Sequence, residues 1–153
     1  MQVPQPDLPA TLVVSSPHFV EGGRVPARFT CRGEGLSPGL AWSGVPAEAL
    51  DLAVIVSDPD APRGTYLHWL FTGLEPRDGS FGDGAPPRGA REFPNSARST
   101  GWVPPCPPSG THRYVFAVYA LDAGVRAASS EDALAQIRRH VIAWGALTTL
   151  VSA

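Results

Sequence analysis

Short apolar segments cut apart by proline and glycine set the pattern of this chain. Runs rich in β-branched and aromatic residues predict strands over residues 11–14, 25–30, 40–42, 50–57, 66–72 and 112–121. Within the fifth run, period-two alternation sends Tyr66, His68 and Leu70 to one face and Leu67, Trp69 and Phe71 to the other. One segment breaks the strand pattern. Ser129 can cap a helix with Asp132 three residues on, and Leu134, Ile137 and Val141 recur at helical spacing, so a helix is expected over residues 131–140. Arg138, Arg139 and His140 fall in its last turn, where cations suit the helix dipole. The apolar stretch 141–151 then reads as a final strand. Residues 75–106 carry no clear period, and so long a loop in a compact domain is often functional.

Composition narrows the class. The 153 residues suit one domain, expected to span 1–153, and 17 prolines with 16 glycines favour a mainly β fold with many turns. Net charge is −2 and the twelve basic residues, all arginine, are scattered, which argues against nucleic acid as a partner. The start MQVPQPDLPA lacks the apolar stretch of about 7 to 15 residues that a secretory signal needs, so a cytoplasmic location is expected. The longest apolar runs, 52–56 and 115–121, fall far short of the roughly 20 residues that span a bilayer, so no transmembrane segment is expected. Cys31 and Cys106 form no CxxC or Cys/His zinc pattern. Two reduced thiols are the simplest expectation. A disulfide requires the two loops to meet in space, which spacing does not decide.

Three segments hold polar residues that apolar packing does not explain. In Ser57-Asp58-Pro59-Asp60-Ala61-Pro62 two prolines end an apolar strand and hold both carboxylates at its exit. His68 faces a mostly apolar wall, where an aspartate accepting from one ring nitrogen leaves the other free to act as donor, acceptor or acid. In residues 106–114, CPPSGTHRY, a stiff turn feeds a strand on which His112 and Tyr114 share a face while Arg113 points away, free to pair with a carboxylate. Donors side by side at a strand's start suit a phosphate or carboxylate oxygen.

DPDAP at residues 58–62, His68-Trp69, and PPSGTHRYVFAVYALD at residues 107–122 resemble the signature blocks of the phosphatidylethanolamine-binding family. FTCRGEGLSPGLAW at residues 29–42 resembles the upstream block of its bacterial branch. The resemblance runs from about Phe29 to the C-terminus. It implies a large central antiparallel sheet, a smaller second sheet and a pocket near one edge. It also implies a pocket for phosphate, phospholipid head groups or similar anions, lined by Asp58, His68, His112 and Tyr114, with Cys106, Pro107 and Pro108 on its rim. Asp60 matches a second aspartate whose part is structural. The rim loop is shorter than in eukaryotic members, and the eukaryotic C-terminal helix used in partner contacts is not evident. Kinase inhibition therefore does not carry over.

The leading expectation is a small-ligand binding protein, in which His68, His112 and Tyr114 donate to an anion while Asp58 fixes a histidine tautomer. Its affinity should rise as pH falls through about 6.5. The alternative is an enzyme using the same pocket, with Asp58 and His68 as a general acid/base pair in a dehydration, isomerisation or cyclisation of a small metabolite. Two histidines and two aspartates have the right types for a divalent metal, but their spacing matches no ligand pattern, so neither metal nor cofactor is expected. The partner expected is a small anionic or polar ligand; a homodimer is left open.

Overall fold

The computed structural model describes residues 2–153. Two antiparallel sheets face each other. The smaller is ordered β1 (Val13–Ser15), β2 (Leu40–Ser43), β5 (Gly79–Phe81). The larger is ordered β6 (Arg91–Glu92), β4 (Tyr66–Leu74), β3 (Asp51–Asp58), β7 (Thr111–Leu121), β8 (Val141–Ser152).

The central strand β3 is buried along its whole length because both of its faces are covered. Leu52, Val54 and Val56 enter a core between the sheets, with Trp42 of β2, Trp69 of β4 and Phe116 of β7. Ala53 and Ile55 point the other way, into a second core under the helix α1 (Ser130–His140), which contributes Ala133, Leu134 and Ile137. Each fully buried Leu, Ile or Val is worth about 1.5–3 kcal/mol, so an unbroken apolar run is what such a position demands. β8 is an edge strand instead, and over residues 143–152 its residues alternate between buried and half-buried. The helix begins as its sequence predicts. The Ser129 hydroxyl accepts from the Asp132 N–H at 3.1 Å, Glu131 and Asp132 occupy the first turn, and Arg138, Arg139 and His140 the last.

Two sequence expectations are corrected. Residues 25–30 do not form a strand: Ala27–Phe29 is a 3-10 turn entered through Pro26. Proline fixes φ and offers no N–H to a ladder, and the Thr30 N–H and hydroxyl both close back onto the Ala27 carbonyl at 3.0 and 2.9 Å. The stretch 75–106 is not wholly irregular either. It carries β5 and β6, which pair with β2 and β4. Strands of three and two residues have no period to detect and exist through their partners.

Candidate functional site

The exit of β3, the start of β7 and the start of β4 converge on one cavity of about 340 Å³, closed on its remaining side by the segment leading into β7. Asp58, His68, His112 and Tyr114 line it, and so do Cys106, Pro107 and Pro108: each residue expected at the site borders this cavity.

His112 and Tyr114 reach it by strand alternation. Both are buried on the face of β7 that continues into the inter-sheet core at Phe116 and Val118, while Arg113 points away. Arg113 meets Asp60 through two guanidinium nitrogens at 3.0 and 2.7 Å and through its backbone N–H at 2.8 Å. This pairing holds the Asp60 carboxyl well below the ordinary range, at about 2. Asp60 is thus tied into the turn and is not among the cavity's lining residues.

His68 arrives differently. Val56 faces Trp69 and Ser57 faces Leu67 across β3 and β4, so His68 is an extra residue on β4, a β-bulge. Strict alternation from Leu67 fails at this point. Trp69 and Phe71 join the inter-sheet core, whereas Leu67 and Leu70 join the core beneath the helix. The bulge lets His68 face the cavity, 5.1 Å from the Tyr114 ring, while Trp69 still enters the core.

The two imidazoles are anchored through the same atom by different partners. His112 Nδ1 lies 2.6 Å from Asp58 Oδ2, and Asp58 Oδ1 accepts the Asp60 N–H at 2.8 Å. His68 Nδ1–H donates to the Val103 carbonyl at 2.8 Å, and the Val103 N–H returns a bond to the His68 carbonyl at 3.0 Å. The expected Asp58–His68 pair is therefore not formed: the carboxylate serves His112. Neither Nε2 has a protein partner, yet no partnerless polar side-chain atom is enclosed among the described residues, so both face open space. A carbonyl acceptor requires Nδ1 of His68 to carry hydrogen, which leaves Nε2 an acceptor while the ring is neutral. Burial lowers the His68 pKa against the opposing pulls of the Val103 carbonyl and the Asp58 charge. Burial also pushes the Tyr114 phenol far up, helped by the nearby Asp58 carboxylate, so Tyr114 keeps its proton across the physiological range.

The cysteine expectation is overturned. Cys31 and Cys106 form a disulfide, with Cα atoms 5.4 Å apart and 75 residues between them in sequence. The Cys31 N–H also donates to the Pro105 carbonyl at 3.0 Å, so the two loops meet where spacing alone did not require it. Sequence reasoning also left Ala61, Pro62, Tyr66, Val103 and Pro104 out of the site. Tyr66 shares the alternation of His68 and was within reach of that rule. No local signal marks Val103, whose role is a backbone carbonyl.

The family model described as phosphatidylethanolamine-binding protein matches residues 15–152. The chain belongs to the phosphatidylethanolamine-binding protein family. Solved structures agree in fold with that membership. The phosphatidylethanolamine-binding protein homologue CT736 of Chlamydia trachomatis gives a TM-score of 0.86 at 34% identity, over 94% of this chain and 98% of that one. Escherichia coli YbcL gives 0.87 at 27% identity, over 94% and 99%. In sequence, the UPF0098 protein of Methanothermobacter thermautotrophicus is 42% identical over 132 residues, 81% of this chain and 87% of its own. The Mycobacterium tuberculosis protein named "Putative lipoprotein LppC" is 46% identical over 112 residues, 72% of this chain, and this family member spans only about half of its length, 55%. No helix among the described residues is long and apolar enough to cross a membrane.

Proposed function

We propose that the protein is a single-domain small-ligand binding module whose cavity takes phosphate, a phospholipid head group or a similar small anion. The observation that carries this reading is the convergence of two unpartnered imidazole Nε2 atoms and one buried phenol on a single cavity of about 340 Å³. Tyr114 keeps its proton at any physiological pH, and turning it from the Asp58 carboxylate toward the cavity gives a ligand oxygen a donor. His68 accepts from a protonated ligand oxygen while neutral and donates once protonated, so a hydrogen-bearing anion suits both of its states. No arginine lines the cavity, and the chain has no lysine, so affinity rests on a few hydrogen bonds rather than a cationic cluster. Dissociation constants near the millimolar range are expected, on the order of −4 kcal/mol. Because burial depresses the His68 pKa, the pH-dependent gain in affinity is displaced below 6.5 in the ligand-free protein.

Calorimetric titration of phosphate and phosphoethanolamine at pH 6 and pH 7.5 tests the reading on wild type, His68→Ala and His112→Ala. Saturable binding that is stronger at pH 6 and lost in both variants is expected. Absence of saturable binding at either pH overturns it.

One observation favours a second reading, an enzyme acting on a small metabolite. The Asp58 carboxylate orients a buried His112 at 2.6 Å and leaves Nε2 to take or give a proton. In that case His112 is the acid/base, with Asp58 positioning it. The disulfide favours an oxidising compartment over the cytoplasm expected from the first residues, since such bonds rarely persist among cytosolic thiols.

A further inference from the structure

We infer that the Cys31–Cys106 disulfide is a redox clamp on the pocket rim, so that its two-electron reduction releases the rim and lowers the pocket's affinity for its anion. This rests on the binding reading above and adds its regulation.

The rim between Val103 and Gly110 is poor in other ties. Pro104, Pro105, Pro107 and Pro108 have no N–H to donate. The upstream end is held by the paired bonds between Val103 and His68, and the downstream end by the Ala153 N–H on the Gly110 carbonyl at 2.8 Å. Between these ends the backbone bond to another loop is Pro105 O to Cys31 N, which depends on the same residue that the disulfide holds. Closer to the cavity, the Cys106 amide lies near the Tyr114 hydroxyl. Cys106 is thus both a wall of the pocket and one half of the covalent bond. A staple for global stability has no need to sit there.

The bond is open to exchange. Both cysteines are exposed, and a small cleft of about 70 Å³ is lined by Cys31, Cys106 and Arg32 together. An external dithiol supplies the electrons. Its thiolate attacks one sulfur, the other protein sulfur leaves as a thiolate, and the second thiol of the reductant resolves the mixed disulfide. The products are two protein thiols and an oxidised reductant. Arg32 also lines that cleft, and a positive charge beside the sulfurs favours a departing thiolate. The fold survives because the two cores and the pairings of β3, β4, β7 and β8 do not include either cysteine.

The test titrates inorganic phosphate into three forms: oxidised protein, protein reduced with dithiothreitol and verified by thiol count, and the Cys31→Ser/Cys106→Ser variant. Amide hydrogen exchange at position 106, Ser109 and Gly110 is followed in parallel. Phosphate affinity should fall about tenfold in the reduced and variant forms, the cost of re-ordering one freed rim residue, and the rim amides should exchange faster while core amides do not change. Equal phosphate affinity with unchanged rim exchange overturns the clamp and leaves the anion reading standing. If phosphate binds none of the three forms the anion reading fails, and the clamp is then decided by exchange alone: faster in the reduced forms supports it, and unchanged overturns it.

Discussion

Replacing Asp58 with alanine removes the acceptor of His112 Nδ1 and of the Asp60 N–H in one step. Asp58 and His112 are 2% and 8% exposed, so the imidazole loses its carboxylate in a largely desolvated position. An orphaned buried donor costs about 1–3 kcal/mol, and the more accessible Asp60 N–H adds about 0.5–1 kcal/mol. A loss of about 3 kcal/mol is expected, equivalent to a fall in Tm of about 6–12 °C for a chain of this size. The assay is thermal unfolding of wild type, Asp58→Ala, His112→Ala and the double variant at pH 7.5. Removing both partners eliminates the orphan, so the double variant should cost less than the sum of the singles by about 1–2 kcal/mol. Asp58→Asn retains one side-chain oxygen for two donors and should fall between wild type and Asp58→Ala. A Tm for Asp58→Ala within about 2 °C of wild type, or a coupling of zero, refutes the reasoning.

Two further outcomes follow from the same geometry. The His68 imidazole, followed by NMR, should titrate below 6.5; the unfolded chain then binds more protons than the folded one beneath that value, so stability falls as pH drops from about 6.5 toward the folded midpoint. A His68 midpoint at or above 6.5 contradicts the burial argument. Gly145→Ala places a Cβ on the Leu12 carbonyl where β1's approach crosses β8, and chemical denaturation should register a loss of more than about 3 kcal/mol with the cavity residues unchanged; a loss under about 1 kcal/mol shows that β1 can move aside.

The parts of the fold that the sequence made legible are those whose signal is local. Apolar runs marked β3, β4 and β7, the Ser129 cap and Leu134/Ile137 spacing marked the helix, and period two placed His112 and Tyr114 on one face. Residues 25–30 have the composition of a strand, but Pro26 cannot donate to a ladder and starts a 3-10 turn instead. β5 and β6 were invisible because strands of two and three residues owe their existence to partners far along the chain. At the site, the identities of the lining residues were readable but their pairing was not. Which histidine takes Asp58 depends on a bulge at His68 and on a carbonyl at Val103, and neither leaves a mark in residue type. The disulfide escaped for a related reason: 75 residues separate cysteines whose meeting is a property of the packed loops.

That pairing makes the two histidines unequal. His112 is bound to a carboxylate on β3, so its position is set by the hydrogen-bonded core of the larger sheet. His68 is bound to the first residue of the rim, so its ring orientation depends on where Val103 lies. The cavity consequently has a fixed half, made by Asp58, His112 and Tyr114, and a half hung on a segment that four prolines prevent from joining any ladder. A wall with few backbone bonds must also be positioned by other means, and here those are proline stiffness, the His68 imidazole bond to the Val103 carbonyl and the disulfide. A change in the rim therefore acts first on Val103 and His68 and leaves the Asp58–His112 pair in place. Binding should weaken when the rim loosens, while any proton chemistry at His112 should persist. Phosphate affinity measured beside an Asp58–His112 coupling in the reduced protein separates these two halves.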